Sequence, residues 1–331
     1  MDRREKIVYK CDLNGRGLEI GPSLRPVVPK RDGYNVETID HTDKKGLQEK
    51  YAAQGHNVED IEEVDYIWNG EPYTELTGKT DYYDYIIASH VIEHTCDLIG
   101  FFNDCSAMLK ENGILSVVIP DKRYCFDYLR PVTSISQVID SHLNRSLVHS
   151  PGSIYEHMSS ACKSSGDIAW IHPCLPVGLE TIHDIDSAVK TYNEALDQTG
   201  YIDIHKWVFT KSTFELLIYD LNCLNLINLQ INASFDTLGH EFYVSLVKQD
   251  SEFIPDDKIR FELVLRVLDE LEPADINPAL TAQVNILNEK VTDLKNQVNT
   301  LNNQISGIYG SATWKAGEKI QKLYRFFKFS P

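Results

Sequence analysis

Five side chains able to take up or release a proton fall where predicted strands end. The run YDYIIAS, residues 83–89, is apolar enough for a strand buried on both faces of a sheet, and His90 follows it directly. A second apolar run, ILSVVI, ends at Pro120-Asp121. Histidine and carboxylate side chains are common general bases in enzymes. The candidate catalytic residues are therefore His90, Glu93, His94, Asp121 and, before a later helix, His205.

A strand, a glycine turn and a second strand occupy residues 17–41, GLEIGPSLRPVVPKRDGYNVETIDH. A parallel α/β sheet holds adenosine-bearing ligands at such a turn, with a carboxylate, here Asp40, at the tip of the second strand. NAD sites need the glycines of GxGxxG so that a pyrophosphate can lie against a helix N-terminus. This turn has one glycine, Gly21, and Glu19 stands two residues before it. A carboxylate there disfavours a pyrophosphate and suits the cationic groups of S-adenosylmethionine (SAM), so the sequence predicts a SAM site.

The elements that must position these residues alternate between strand and helix. A third strand is predicted at residues 64–68, and residues 98–109 have the apolar spacing of a helix that ends at Glu111-Asn112-Gly113. This order predicts an α/β fold with a Rossmann-like, doubly wound, mostly parallel sheet. Later strands near residues 226–231 and 241–247 are expected to form an antiparallel hairpin at its edge, in a sheet of seven strands.

Composition and charge exclude several classes of protein. The chain is 42% hydrophobic and 24% charged, which is ordinary for a soluble globular protein. Its net charge of −17 argues against nucleic acid as the main partner, because the phosphate backbone favours a basic face. No apolar run reaches the ~18 residues of a membrane span, and the charged start resembles no secretory signal. We therefore expect a cytoplasmic protein.

The sequence divides into four regions. Residues 1–250 form the predicted cofactor-binding domain, with a helical insertion at about 123–204 where the strand and helix rhythm lapses. Residues 251–278 are predicted as a helical linker, 279–307 as a coiled coil, and 308–331 as a basic, aromatic tail. The tail is typical of a helix that lies on an anionic membrane surface, although a solvated tail or a segment that docks on a partner protein explains it equally well.

A heptad seam defines the predicted coiled coil. Its core positions are spaced alternately by four and three residues, with β-branched residues at one position and Leu at the other. This pattern favours a parallel dimer, and the flanking residues provide no opposite charges to exclude a trimer. The seam residues are Leu280, Val284, Leu287, Val291, Leu294, Val298, Leu301 and Ile305.

Taken together, these motifs resemble the class I SAM-dependent methyltransferases. The ExG turn, the acidic strand tip, SHVIEH and LKENGILSVVIPD carry the resemblance over residues 15–125. It is closest to methyltransferase-domain proteins of bacterial surface-polysaccharide (O-antigen or capsule) clusters, in which PDKRYCFD, His-x-x-x-Phe-Thr and Ser-x-Thr-Trp-Lys segments also recur. The resemblance implies SAM as cofactor, bound by Glu19, Gly21, Pro22, Ser23, Leu24, Asp40, His41, Asp65, Trp68, Asn69, Gly70, Ser89 and His90.

The implied activity is O-methylation of a sugar or glycan intermediate in cell-surface polysaccharide biosynthesis. A resemblance to quinone-biosynthesis O-methyltransferases implies two alternatives, a small-molecule acceptor and a divalent metal at Glu93-His94. Ser23 stands where relatives usually have glycine, which motivates another alternative, a non-catalytic scaffold in glycan assembly. The loop Asp121-Lys122-Arg123-Tyr124 has the charged and aromatic character that suits contact with a sugar.

Deleting residues 279–331 tests the heptad prediction. We expect the full chain to form dimers or trimers and the truncated chain to be monomeric, because the deletion removes the whole apolar seam. Size-exclusion chromatography with light scattering measures both masses. An unchanged number of chains in the truncated protein would contradict the prediction.

Overall fold

A seven-stranded sheet organises the larger of two units in the computed structural model, which describes residues 1–171, 178–197, 200–271, 290–291, 294–307, 314 and 316–321. The units are Met1–Glu272 and Pro273–Pro331. The sheet order is β3-β2-β1-β4-β5-β9-β8. Pairs among the first five are parallel, whereas β9 is antiparallel to both neighbours. The strands are β1 Gly17–Ile20, β2 Val36–Asp40, β3 Tyr66–Ile67, β4 Tyr83–Ser89, β5 Leu109–Pro120, β8 Leu229–Leu238 and β9 Glu241–Lys248. This is the predicted Rossmann-like sheet with its edge hairpin.

Helices cover the sheet and fill the segment before β8. Most begin at a side chain that accepts a hydrogen bond from the first turn; Asp97 does so for α4 and Thr210 for α8. The helices of the larger unit are α1 Arg3–Ile7, α2 Lys44–Ala53, α3 Tyr73–Thr77, α4 Leu98–Met108, α5 Ile135–Leu143, α6 Pro151–Ser160, α7 Ile185–Asp197, α8 Lys211–Cys223 and α9 Asp257–Leu271.

The junction of α4 and β5 differs from the sequence prediction. Residues 111–113 were expected to cap the helix, but they belong to a strand that begins at Leu109. Leu109 pairs with Tyr83 of β4, and its carbonyl accepts a hydrogen bond from Lys248 Nζ (2.8 Å). Strand pairing therefore overrides the local Asn-Gly signal, and Asn112 takes a positive φ of 60° within the strand.

The segment between β5 and α8 contains α5, α6, α7 and a two-stranded hairpin, β6 Cys162–Ser164 with β7 Leu179–Thr181. Within the insertion the sequence predicts helices at residues 136–144 and 188–197, which correspond to α5 and to part of α7, whereas α6 and the hairpin were not predicted. Arg130, which is buried, holds distant parts of this segment together. Its guanidinium donates to Asp127 (2.7 Å), to the carbonyl of His205 (2.8 Å) and to Glu156 (3.2 Å).

Helix α9 packs against the sheet domain, although its residues were expected to be a linker. Arg260 donates to Asp220 of α8 at 2.7 Å, and Arg266 donates to Glu215 of the same helix at 2.9 Å. Ser212 at the start of α8 also donates its backbone N–H to Glu270 (2.8 Å). These contacts make α9 part of the larger unit.

The described residues of the second unit are helical: 290–291, 294–307, 314 and 316–321. Five heptad positions fall among them, and their side chains are 47–59% exposed: Val291, Leu294, Val298, Leu301 and Ile305. The other three, Leu280, Val284 and Leu287, lie outside the described residues, as does most of the tail. The coiled coil thus stays a prediction. Within the described residues no helix is long and apolar enough to cross a membrane.

Gly17 in β1 tests how tightly the centre of the sheet is packed. A Cβ at this position would lie 2.2 Å from the ring of Tyr85, which is fully buried on β4. We expect Gly17→Ala to lower the free energy of unfolding by about 1–3 kcal/mol, because the ring has no room to move. Urea denaturation measures it.

Gly152, near the start of α6, provides the matched control. A Cβ there meets only Ser150 Oγ at 3.9 Å. Gly152→Ala should leave stability unchanged or raise it by up to about 1 kcal/mol through helix propensity. Equal effects of the two substitutions would show that the β1–β4 contact is not tight.

Candidate functional site

A cleft of about 930 Å³ opens at the carboxyl ends of β1, β2 and β4. Parallel strands all end at this edge of the sheet, which is where α/β proteins bind their ligands. The segments after β3 and β4 and the residues before α8 complete the walls. The described lining residues are Ile20, Gly21, Ser23, Ile39, Asp40, His41, Lys50, Tyr51, Trp68, Asn69, Gly70, Tyr73, His90, Val91, His94, Thr95, Leu147, Val148, Gly200, Tyr201 and Asp203.

The turn after β1 approaches the cleft through two residues with positive φ. Gly21 has a φ of 66°, and its N–H donates to the carbonyl of Ile39 (2.8 Å). Ser23 has a φ of 47°, a left-handed conformation that costs a side-chain-bearing residue about 1–2 kcal/mol. Ser23 therefore adopts the backbone conformation that a glycine would take, and its side chain is added to the cleft wall.

Glu19 has a different position from the one expected. It does not line the cleft, and its buried carboxylate accepts hydrogen bonds from the backbone N–H groups of Val27 (2.7 Å) and Val28 (3.2 Å). Burial raises the pKa of Glu19 to about 7 despite these two bonds. Glu19 thus holds the loop between β1 and β2, and does not contact the cleft contents directly.

Asp40 lies at the tip of β2, as expected, and lines the cleft beside His41. Its carboxylate accepts from the N–H of Ser23 (3.1 Å) and from the N–H of His41 (2.8 Å), and its Oδ1 lies 2.6 Å from His41 Nδ1. A carboxylate has about four acceptor positions, so one remains for a ligand hydroxyl. Lys50 of α2 lies 3.2 Å from the other ring nitrogen of His41 and adds a cation to this wall.

Several other predicted cofactor residues divide between those that line the cleft and those that lie outside its lining. Trp68, Asn69 and Gly70 line the cleft, as expected. Asp65 does not, because its carboxylate accepts the N–H of Thr38 (2.7 Å) and pairs with Lys30. Pro22, Leu24 and Ser89 are also outside the lining, and the hydroxyl of Ser89 accepts from Arg3 Nη2 (3.3 Å).

His90 lines the cleft, but its charge excludes it as a general base near neutral pH. Its Nε2 lies 2.7 Å from Glu241 Oε2, and its Nδ1 lies 3.5 Å from Glu93 Oε1. Burial alone would lower the pKa of His90, but the two carboxylates raise it to about 9. The ring is therefore an imidazolium. Arg3 and Tyr243 also donate to Glu241, at 2.6 and 2.7 Å, and hold this pair in place.

Glu93, His94 and His205 come together at the inner end of the cleft. One possible ligand or proton-accepting atom from each lies within 4.8 Å of the other two. His94 lines the cleft, whereas Glu93 and His205 lie behind it and are buried. His205 reaches this position because the backbone N–H groups of Lys206 (2.7 Å) and Trp207 (3.2 Å) donate to the carbonyl of Glu93.

Two carboxylates that were not predicted from the sequence lie beside these histidines. Asp203 Oδ1 lies 2.8 Å from Nδ1 of His94 and lines the cleft. Asp127 Oδ2 lies 2.5 Å from Nδ1 of His205. Burial would raise the pKa of Asp127, but His205 and Arg130 lower it to about 2. Asp203 stands two residues before His205, but only the folded chain places it against His94.

Asp121, a predicted catalytic residue, is fully buried and is not a cleft residue. Its carboxylate accepts from Arg123 Nε (2.9 Å) and Thr237 Oγ1 (2.6 Å). Arg123 also pairs with Glu270 (2.9 Å), and Lys122 donates to the carbonyl of Tyr128 (2.9 Å). The charged groups of this loop therefore connect β5 to its neighbours, and the expected role in sugar contact is not supported.

The pH dependence of stability tests the burial of Glu19. The folded protein binds the carboxyl proton of Glu19 more tightly than the unfolded chain does, because the pKa of this group in the unfolded chain is the ordinary 4.5. Stability should therefore fall as the pH rises from about 4.5 to about 7, by about 3 kcal/mol from this group. Glu19→Gln removes the titration, so the difference in unfolding free energy between the two proteins should change by that amount between pH 5 and 8. Parallel curves from denaturant titrations would show that Glu19 does not titrate there.

Comparisons with known proteins agree with this architecture. A family model described as a methyltransferase domain matches residues 1–170, which include β1 to β5. A comparison with curated proteins gives no significant match. Among solved structures, a SAM-dependent methyltransferase from Aquifex aeolicus is 10% identical, with 75% of this chain and 90% of that chain covered and a TM-score of 0.36.

Two further structures are similar at the same level. The CcbJ methyltransferase from Streptomyces caelestis is 11% identical over 74% of this chain and 94% of that one, with a TM-score of 0.38. A Rhodobacter sphaeroides protein provisionally described as a zinc-dependent alcohol dehydrogenase is 12% identical over 75% and 90%, with a TM-score of 0.41. The TM-scores of these structures are too low to support an activity. The family match does support one, because it covers more than half of the 331 residues and includes the strands that build the cleft. The protein belongs to the methyltransferase-domain family and is a SAM-dependent methyltransferase.

Proposed function

We propose that this methyltransferase methylates a hydroxyl group of a sugar or glycan intermediate in the assembly of a cell-surface polysaccharide. Family membership supports the methyl transfer. The position of His94 in the cleft supports a hydroxyl acceptor. The sugar and the pathway are supported by the sequence segments that resemble proteins of surface-polysaccharide clusters.

The residues at the β1 and β2 ends fit SAM. Asp40 keeps one acceptor position for a ribose hydroxyl, and Gly21 brings the backbone close to the ligand. A Cβ on Gly21 would come within 3.0 Å of Val91, so the turn has little room for a side chain there. Trp68, Asn69 and Gly70 are suitably placed beyond β3 for the adenine. When bound, SAM supplies a methyl group on its sulfonium. The methyl group passes to the acceptor by in-line displacement, and the thioether is the leaving group.

The size of the cleft supports a second ligand beside the cofactor. Ligand pockets are usually about 300–1,000 Å³, and this cleft, at about 930 Å³, is near the upper end. The cleft lining also includes Leu147 and Val148 with Tyr201, whose ring lies 6.5 Å from that of Trp68. Aromatic rings beside polar groups suit the mixed faces of a sugar.

The position of His94 is the main observation in favour of a hydroxyl group as the methyl acceptor. Methyl transfer to a hydroxyl requires that its proton leave, and the remaining catalysis is mainly positioning. His90 is already protonated and Asp121 is buried elsewhere, so neither can accept that proton. His94 reaches the cleft surface and joins Glu93 and His205 behind it, which makes this cluster the place where the acceptor proton is handled.

Assembly and location complete the proposal. We infer that the heptad segment joins two or three copies of the chain, and that the tail holds them at the cytoplasmic face of the membrane or against glycan-assembly enzymes. The exposed apolar side chains at Val291, Leu294 and Val298 support the first part. The clustered Lys and Arg residues of the tail support the second.

Calorimetry with SAM tests the cofactor site. We expect the full chain to bind SAM and Asp40→Asn to bind it at least ten-fold more weakly, because the ribose loses a charged acceptor. Asp60→Asn is the matched control, since Asp60 is an exposed carboxylate paired with Arg31 outside the cleft (2.6 Å). Ser23→Gly should bind at least as tightly as the wild type. Absence of wild-type binding at millimolar SAM would contradict the cofactor site and favour a scaffold.

Transfer of labelled methyl groups tests the acceptor. SAM with a labelled methyl group is incubated with nucleotide sugars, lipid-linked saccharides and quinone precursors. We expect label in a methyl ether of a sugar. Label that appears only in a non-sugar product would contradict the substrate class while leaving the methyltransferase activity in place.

A further inference from the structure

We propose that Glu93, His94 and His205 form a binding site for one divalent transition-metal ion at the inner end of the cleft. Their candidate ligand atoms lie within 4.8 Å of one another, so small side-chain movements would bring all three onto one ion. Two imidazoles and one carboxylate on one side of an ion, with the other positions open, is a recurrent arrangement for divalent first-row metals. Imidazole ligands also disfavour Mg²⁺ and Ca²⁺, which prefer oxygen.

Glu93 provides the strongest argument for a missing cation. Its side chain is 1% exposed, and neither carboxylate oxygen has a hydrogen-bond partner. Leaving a buried carboxylate unpaired is costly, and such groups are normally paired or bound to a metal. The Nδ1 of His90 lies 3.5 Å from Oε1 of Glu93 but forms no hydrogen bond with it, and the Nε2 of the same ring lies 2.7 Å from Glu241. An ion between Glu93 and the two histidines would satisfy the free oxygens.

His205 is oriented as metal-binding histidines usually are. Its Nδ1 lies 2.5 Å from Asp127, and Arg130 holds Asp127 from the other side (2.7 Å). This contact leaves Nε2 as the free nitrogen. A carboxylate behind the imidazole fixes the tautomer and raises the basicity of the ligand. Only Glu93 and His94 were expected as metal ligands from the sequence; the structure adds His205 as the third ligand and Asp127 as the residue that orients it.

His94 opens the site to the cleft. Its Nδ1 lies 2.8 Å from Asp203 Oδ1 but has no hydrogen-bond partner, so it is a second unsatisfied buried atom of the cluster. The ring of His94 is perpendicular to that of His205, with centroids 4.7 Å apart. Because His94 lines the cleft, the open coordination positions would be reached from there. This role rests on the proposed function: the ion would bind the acceptor hydroxyl and lower its pKa.

A neighbouring group of possible ligands lacks these properties. His90, His240 and Glu241 also cluster, but the carboxylate of Glu241 is already bound by Arg3, His90 and Tyr243. No oxygen there is left without a partner, so this group provides the matched control.

Metal binding is measured on the full chain without a polyhistidine tag, after removal of metals with a chelator. Zn²⁺ and Co²⁺ are titrated by calorimetry, and the visible absorption of Co²⁺ reports nitrogen and oxygen ligands. We expect one ion per chain with a dissociation constant in the micromolar range or tighter. Glu93→Gln and His205→Gln should weaken it at least 100-fold, and Asp127→Asn by about 10–100-fold as a positioning residue.

The controls separate metal binding from loss of folding. His240→Gln, in the neighbouring group, should bind the ion as the wild type does. Zn²⁺ should raise the melting temperature of the wild type and leave that of Glu93→Gln unchanged, although the metal-free Gln variant should be at least as stable because a buried charge is gone. Absence of stoichiometric binding, or equal binding by Glu93→Gln, would overturn the proposal. Neither SAM nor an acceptor is present, so failure of the proposed function would not affect this result.

Discussion

Pairing of β1 with a parallel strand on each side is the constraint on which the site depends. Gly17 to Ile20 pair with residues 36–39 of β2 and 85–88 of β4, so the three strands end at one edge. The residues at these strand ends therefore meet around one cleft: the Gly21 turn after β1, Asp40 at the tip of β2 and His90 after β4. Up to 69 positions separate them in sequence. Gly17 allows this pairing to be close, because the Tyr85 ring occupies the space beside it.

Buried charges at the strand ends are arranged in compensated groups. Glu241 joins α1, β4 and β9 through Arg3, His90 and Tyr243, and it fixes the protonated state of His90. Asp127 and Arg130 form a second compensated pair, which joins parts of the segment between β5 and α8. Desolvation would make any of these charges costly alone, and the pairs offset that cost. Glu93 differs, since its neighbours are positive or ionisable rings that do not hydrogen-bond to it.

The turn after β1 combines a left-handed backbone with a side chain at the cleft wall. Ser23 keeps a left-handed conformation because the surrounding contacts hold it, including the hydrogen bond from its N–H to Asp40. The same bond uses part of the acceptor capacity of Asp40. The turn therefore keeps its left-handed geometry at Ser23, although this conformation is energetically unfavourable for a residue with a side chain.

Local patterns in the sequence determined the order of the seven sheet strands, the glycine turn after β1 and the acidic tip of β2. Each depends on neighbours a few residues apart: apolar periodicity, glycine conformation and helix caps. Tertiary structure decided where charged side chains point. Glu19 and Asp65 turn to backbone N–H groups, Asp121 turns to Arg123, and Asp203 and Asp127 reach histidines from other segments. Such choices depend on the competition between desolvation and long-range hydrogen bonding, which appears only when distant segments pack together.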